Sequence, residues 1–243
     1  MPEIRVVENL EKLSQAAVDL FVEIANEAIE DRGQFSVALS GGSTPASLYK
    51  LLASDRFREA LDWNKVFFFF GDERNVPPNS PDSNYRLASE TLFPVLHGNL
   101  ENVRAWQTSL ESPEETARDY ALKLERYFRG LPLFDLILLG LGTDCHTASL
   151  FPSTKALRSM DETAVANWVP QFNDYRFTMT FPVINNSRNI IFLVSGKEKA
   201  EAVSLVLESP GQPGDYPAQG VQPTDGTLYW LLDEPAASLL KNR

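Results

Sequence analysis

A histidine set among glycines and hydroxyl residues is the feature of this sequence best suited to chemistry. His146, one of two histidines in the chain, stands in Gly140-Leu-Gly-Thr-Asp-Cys-His-Thr-Ala-Ser149-Leu-Phe-Pro152. A free imidazole titrates near pH ~6.5 and can take a proton from water at neutral pH. Two carboxylates are candidates for orienting it: Asp144 in the same turn, and Asp72 in the charged triplet Asp72-Glu73-Arg74. An aspartate on one ring nitrogen fixes the tautomer that leaves the other nitrogen free as a base. The only cysteine, Cys145, is adjacent to His146. Sequence neighbours rarely aim at one another, so a packed thiol is expected there rather than a nucleophile. His97, in Val95-Leu96-His97-Gly98, reads as a helix C-terminal residue and is assigned no chemistry.

A second group of residues suits an anion. In Ser40-Gly-Gly-Ser-Thr-Pro45, Gly41 and Gly42 allow close backbone approach, Ser43 and Thr44 offer hydroxyls, and Pro45 marks a helix start. The unpaired N–H groups of such a start favour a phosphate. No Gly-Lys-Ser/Thr follows, which sets the segment apart from the nucleoside-triphosphate loop. Arg74 suits a phosphate or an oxyanion. Arg176, Arg188, Lys197 and Lys199 are further candidate cations. Gly140-x-Gly142 with Asp161 roughly 20 residues on resembles part of a dinucleotide fingerprint. Its third glycine position holds Cys145, and residues 155–163 lack a strand to carry the acidic residue, so no dinucleotide is expected.

These residues need elements to hold them. Apolar residues at Leu10, Leu13, Ala17, Leu20, Phe21, Ile24 and Ala28 share one helix face, and Arg32-Gly33 ends that helix. Phe35–Leu39, Val66–Phe70 and Leu136–Leu139 read as short buried strands, and each is followed by one of the polar clusters. Residues 46–53, 85–96, 113–129, 197–207 and 235–240 read as helices. Residues 103–106, 190–194 and 227–232 read as strands, and 177–181 as an edge strand closed by Pro182. Alternation of this kind predicts an α/β fold: a mostly parallel central sheet, Rossmann-like, flanked by helices on both faces, with an antiparallel edge element. Ligands bind beyond the carboxyl ends of the strands in such sheets, where all three clusters fall. No repeat or linker divides the chain, so one domain over residues 1–243 is expected.

Composition excludes other classes. The chain has 243 residues, 43% hydrophobic and 23% charged, which is the globular range rather than that of disordered or fibrous chains. A formal net charge of −11 argues against nucleic acid as a partner. One cysteine excludes an internal disulfide and suits a reducing compartment. Two distant histidines and no cysteine pair offer no metal site. Charges fill the N-terminal stretch where a signal peptide has its apolar core, and no apolar run approaches the ~20 residues that span a bilayer. A cytoplasmic protein with no membrane partner is expected, as a monomer or small homo-oligomer.

The ordered set of motifs resembles the 6-phosphogluconolactonase family. It comprises Ser40-Gly-Gly-Ser-Thr-Pro45, Asp72-Glu-Arg74 with Asp82-Ser-Asn-Tyr85, and Gly140 through Pro152. It continues with Arg176-x-Thr178-x-Thr180, Gly196-x-x-Lys199-Ala200, Pro217-Ala218 and Trp230-x-x-Asp233-x-x-Ala236-Ala237. The resemblance implies hydrolysis of 6-phospho-D-glucono-1,5-lactone to 6-phospho-D-gluconate in the oxidative pentose phosphate pathway, without cofactor or metal. His146 would be the base, with Asp144 or Asp72 holding its tautomer. Backbone N–H groups of the glycine turns, or Arg74, would meet the oxyanion. Gly41, Gly42, Ser43, Thr44, Arg74, Arg176 and Lys199 are the candidates for binding the substrate and its phosphate.

Two stretches depart from the family pattern. Cys145 stands where Asp-Gly-His is usual, at a cost on the order of 1–2 kcal/mol if that position needs positive φ. Gln171-Phe-Asn-Asp-Tyr175 lacks the expected prolines and lysines. The related amino-sugar phosphate deaminase-isomerases follow their histidine with a segment ending Asn-Glu-Pro, whereas Thr147-Ala-Ser-Leu-Phe-Pro152 follows here. Such a deaminase, or a non-catalytic sugar-phosphate sensor, is the alternative reading.

Overall fold

The computed structural model describes residues 2–241. Its elements run β1 (Glu3–Val7), α1 (Leu10–Arg32), β2 (Phe35–Leu39), α2 (Ser43–Leu52), β3 (Val66–Phe70), β4 (Asp72–Arg74), α3 (Asn84–Thr91), α4 (Pro113–Phe128) and β5 (Leu136–Leu139). They continue with β6 (Ala164–Val169), β7 (Asp174–Met179), α5 (Phe181–Asn185), β8 (Asn189–Val194), α6 (Ala200–Glu208) and β9 (Thr227–Asp233). Local signals set the helix ends. Asn9 and Ser112 accept from the N–H of Lys12 and Glu115 to start α1 and α4, and Gly33 at φ 78° stops α1 in the left-handed region.

Six strands form a sheet in the order β1-β9-β8-β5-β2-β3, with every pairing parallel. All residues of β2 and β5 are buried. Alternate side chains of a strand point to opposite faces, so both faces of the sheet centre are covered, as a parallel sheet requires. The chain leaves β2 toward β3 on one side and returns to β5 on the other. That reversal opens a crevice at the carboxyl ends of β2 and β5.

Two buried tyrosines hold the strand ends that border the crevice. Tyr49 Oη accepts from Ser40 N at 2.9 Å and donates to Ser40 O at 2.7 Å. Tyr120 Oη does the same for Phe70, at 2.8 Å in both directions, and the Trp106 indole stacks on Tyr120 at 3.7 Å while donating to Phe70 O. Each phenol satisfies a backbone pair where the ladder stops, a demand that buried main chain cannot leave unmet. Burial pushes both phenols up, so they stay neutral donors.

The antiparallel element is a separate three-stranded sheet, β4-β7-β6, joined to the main sheet through Met179 N and Gly71 O at 2.9 Å. Its β4 is the triplet Asp72-Glu73-Arg74, which carries no apolar alternation to predict a strand, and its register sets Arg74 opposite Arg176. Other expectations shift. The helix over 85–96 breaks after Thr91, where Pro94 leads into a 3₁₀ turn, Phe93–Leu96. Residues 103–106 contribute one bridge, Phe68 to Val103, instead of a strand. Pro182 opens the short helix α5 rather than closing a strand, since β7 ends at Met179. Residues 235–240 form turns. Among the described residues no helix is long and apolar enough to cross a membrane.

Candidate active site

A cleft of about 610 Å³ lies beyond the carboxyl ends of β2, β3 and β5. Ser40, Gly41 and Gly42 line it from the end of β2, Asp72 and Arg74 from β4, and Gly140 to Gly142 with His146 from the turn after β5. Arg176 and Lys199 complete the set from β7 and the 3₁₀ turn before α6.

Of the two carboxylates offered to His146, Asp144 takes the role. Its Oδ1 lies 2.5 Å from His146 Nδ1 and accepts from the His146 backbone N–H at 3.2 Å. Burial raises the Asp144 pKa, but the hydrogen bonds and charge of His146 outweigh it and hold the group at about 2. An ionised carboxylate only accepts, so Nδ1 carries a proton, and Nε2 is the ring nitrogen without a protein partner among the described residues. The imidazole stacks on Phe151 at 4.0 Å between ring centroids, and its side chain is 28% exposed, open to a substrate. Gly142 N donates to His146 O at 2.8 Å and closes the turn.

Asp72 is anchored elsewhere. Ser149 Oγ donates to it at 2.7 Å and Asn84 Nδ2 at 3.2 Å, leaving it almost fully buried at the cleft wall. Asn84 also explains Gly41, where a Cβ would stand 1.9 Å from Asn84 Oδ1. Glu73 faces away from this exchange and fixes the loop: it accepts from the backbone N–H groups of Arg74, Asn84 and Tyr85 and from Ser83 Oγ. Burial pushes the Glu73 pKa up against the pull of those donors. Its carboxylate sits at the N-terminus of α3, where a helix favours negative charge.

Arg74, Arg176 and Lys199 line the cleft. Arg74 donates to the Asp82 carbonyl at 2.5 Å, and among the described residues neither Arg74 nor Lys199 has a carboxylate within ion-pair distance. Arg176 reaches Asp174 at 3.3 Å and stacks over the Phe172 ring at 4.7 Å. The register of β4 and β7 sets Arg74 and Arg176 opposite one another, and like charges so placed repel, which makes this side of the cleft favourable to anionic groups. Helix α2 begins at Ser43 with Gly42 as its N-cap at φ 104°, which glycine alone adopts readily. Among the described residues the N–H groups of Gly41, Gly42, Ser43 and Thr44 find no protein acceptor.

The structure thus brings Gly41, Gly42, Asp72, Arg74, His146, Arg176 and Lys199 to one cleft, with Asp144 behind His146. Ser43 and Thr44 do not line it with their side chains; they begin α2 beside Gly42. Arg188 pairs instead with the buried Asp135, at 3.5 Å. Sequence reasoning gave no role to Phe151, Phe172 or Asp174, all of which line the cleft. Asn84 and Ser149 lay within quoted motifs, yet their bonds to Asp72 join distant parts of the chain. Asp233 had no role either. It accepts from Ser195 Oγ at 2.5 Å, from Gly196 N at 3.1 Å and from Ala236 N at 2.8 Å, and so anchors the turn that carries Lys199.

With this geometry in place, comparison with known proteins identifies the group. The chain belongs to the enzyme family of glucosamine-6-phosphate isomerases and 6-phosphogluconolactonases, whose model matches residues 8–230. It is 40% identical over 245 residues to a 6-phosphogluconolactonase of Synechocystis sp., covering 99% of both chains. Among solved structures, a protein called devB superposes with a TM-score of 0.89 at 31% identity, covering 99% of this chain and 100% of that one. The 6-phosphogluconolactonase of Trypanosoma brucei superposes with a TM-score of 0.85 at 30% identity, covering 99% of each chain.

Proposed function

We propose that this protein hydrolyses 6-phospho-D-glucono-1,5-lactone to 6-phospho-D-gluconate, a step of the oxidative pentose phosphate pathway, acting as one domain over residues 1–243. The observation that carries the reading is the His146–Asp144 pair, Nδ1 to Oδ1 at 2.5 Å, in a cleft with the unpaired cations Arg74 and Lys199. The full-length lactonase relatives support the choice of substrate over an amino sugar.

A lactone carbonyl is an activated ester, and water is the nucleophile. In this mechanism His146 Nε2 removes a proton as the water oxygen bonds to C1. The C1–ring oxygen bond then breaks, and the proton returns from His146 to the leaving ring oxygen. Asp144 keeps the imidazole in the required tautomer and steadies the imidazolium between the two transfers. Arg74, with the N–H groups of Gly41 and Gly42, meets the oxyanion; loss of one such donor typically costs about 3–4 kcal/mol of transition-state stabilisation. Lys199 and Arg176, with the N–H groups of Ser43 and Thr44 at the start of α2, take the phosphate.

The test generates the lactone in situ and follows 6-phosphogluconate against spontaneous hydrolysis, with wild type beside His146→Ala. Rapid wild-type turnover and a loss of about 10²–10⁴-fold in the variant are expected. Wild-type activity at the spontaneous background rate would sink the reading. Ammonia release from glucosamine 6-phosphate would instead favour the deaminase activity of the wider family.

A further inference from the structure

We propose that Phe172 is a positioning residue that sets the enzyme's preference for a phosphorylated substrate by holding Arg176. This rests on the phospholactone reading above. The residue sits at the tip of the β6–β7 hairpin, in a 3₁₀ turn, Pro170–Phe172, that Asn173 closes at φ 48° with its N–H on Pro170 O. Pro170 and this closure restrict the tip to one backbone path.

Phe172 lines the cleft yet is 48% exposed, whereas Phe151 beside it is 4% exposed. Its edge-to-face contact with Phe151, at 5.5 Å, joins it to the ring on which His146 stacks. The ring also meets the Arg176 guanidinium, 4.7 Å from the ring centroid. The remaining partners of Arg176 are Asp174 Oδ2 at 3.3 Å and the Tyr175 carbonyl at 3.0 Å. Both pull the arginine back along its own strand. Both hydrogen bonds use Nη1 alone, so the aromatic face is the contact that bears on the guanidinium as a whole, and the plane of that group decides whether two parallel N–H groups meet a phosphate together. A long arginine left to choose its rotamers loses this advantage through side-chain entropy.

Phe172→Leu keeps apolar contact with Phe151 and removes the ring face, while Phe172→Tyr keeps both. Wild type, Phe172→Leu, Phe172→Tyr, Arg176→Ala and the Phe172→Leu/Arg176→Ala double variant are compared on two substrates, 6-phosphogluconolactone and unphosphorylated glucono-1,5-lactone. Inhibition by inorganic phosphate is measured alongside. In Phe172→Leu, KM for the phosphorylated lactone should rise about fivefold and phosphate inhibition should weaken equally, the scale of one partly desolvated cation–π contact. The effect should fall on KM rather than kcat, spare the unphosphorylated lactone, vanish in the Arg176→Ala background and be restored by Phe172→Tyr. Equal losses on both lactones, or additive losses in the double variant, overturn the proposal. If wild type turns over neither lactone, the functional reading falls, and calorimetric titration with inorganic phosphate decides alone. Binding about fivefold weaker in Phe172→Leu then supports the role of Phe172, and unchanged binding overturns it.

Discussion

The ring of His146 occupies the place where residue 142 would carry a side chain: a Cβ built on Gly142 stands 2.0 Å from His146 Nδ1 and 2.6 Å from Asp144 Oδ1. The glycine is therefore what lets imidazole and carboxylate fold back over their own turn. Gly142→Ala should push the pair apart and lower kcat by about 10²–10⁴-fold, the contribution of a positioned acid–base group. The buried strands beneath are untouched, so thermal unfolding should shift far less than activity. Parallel assays of kcat and melting temperature check this.

Asp144→Asn should cost kcat on the same scale, because an amide cannot stabilise the imidazolium and permits the wrong tautomer. The pH dependence follows from the direction of the shift. Asp144 is held at about 2 in the fold against about 3.9 in an unfolded chain, so its ionised form adds stability at neutral pH. That stability is lost only as pH falls from about 3.9 through about 2. Wild-type activity lost between pH 7 and pH 4 therefore reports a group other than Asp144. Thermal melts between pH 5 and pH 2 should fall less steeply for Asp144→Asn than for wild type.

Cys145 adopts φ 64°, the left-handed region, and its side chain is buried. Burial, then the charges of Asp144 and Glu201, push its thiol up to about 11. The native thiol should be inert to a thiol reagent at pH 8 and react fully once the chain is unfolded. Cys145→Gly relieves about 1–2 kcal/mol of backbone strain but adds about 0.5–1 kcal/mol of chain entropy and removes a buried side chain. Its stability in urea should stay within about 1 kcal/mol of wild type. Cys145→Val places a β-branched residue at positive φ and should lose more than about 2 kcal/mol.

Asp233 does not line the cleft, yet it holds Ser195 and Gly196, the turn ahead of Lys199. Asp233→Asn turns one acceptor into a donor facing the Gly196 N–H. The expected outcome is a rise in KM for the phosphorylated lactone with a smaller change in kcat, read from initial rates over a range of lactone concentrations. Inorganic phosphate should inhibit the variant more weakly than wild type.

Elements that announce themselves by local pattern were readable in advance. Val66–Phe70 and Leu136–Leu139 are apolar runs of strand length, and their bounds coincide with β3 and β5. The His146–Asp144 contact was one of two that the sequence offered, since it spans two residues of one turn. Strand β4 was not legible. Asp72-Glu73-Arg74 has no apolar alternation, and its pairing with β7 is a tertiary event. For the same reason the sequence left Asp72 and Asp144 as equal candidates: the Ser149 and Asn84 donors that claim Asp72 arrive from other segments. Nothing local shows that the hydroxyls of Tyr49 and Tyr120 hold Ser40 and Phe70. Phe172 resembles any exposed aromatic on a loop until Arg176 is seen over its ring.

The strand order has a consequence for how the chain is assembled. Strand β9 lies between β1 and β8, so a space in the sheet waits through synthesis for the last of the described strands to fill it. The segments bearing Gly41, Asp72 and His146 leave the ribosome well before Asp233, and the pairing of β1 with β9 spans nearly the whole chain. Long-range parallel pairing of this kind is slow, because loop closure precedes the contacts that reward it. Until β9 docks, the turn before Lys199 lacks its carboxylate anchor, while the histidine and its aspartate are already neighbours in one local turn. A nascent chain thus acquires its histidine–aspartate pair early and the anchored turn before Lys199 last.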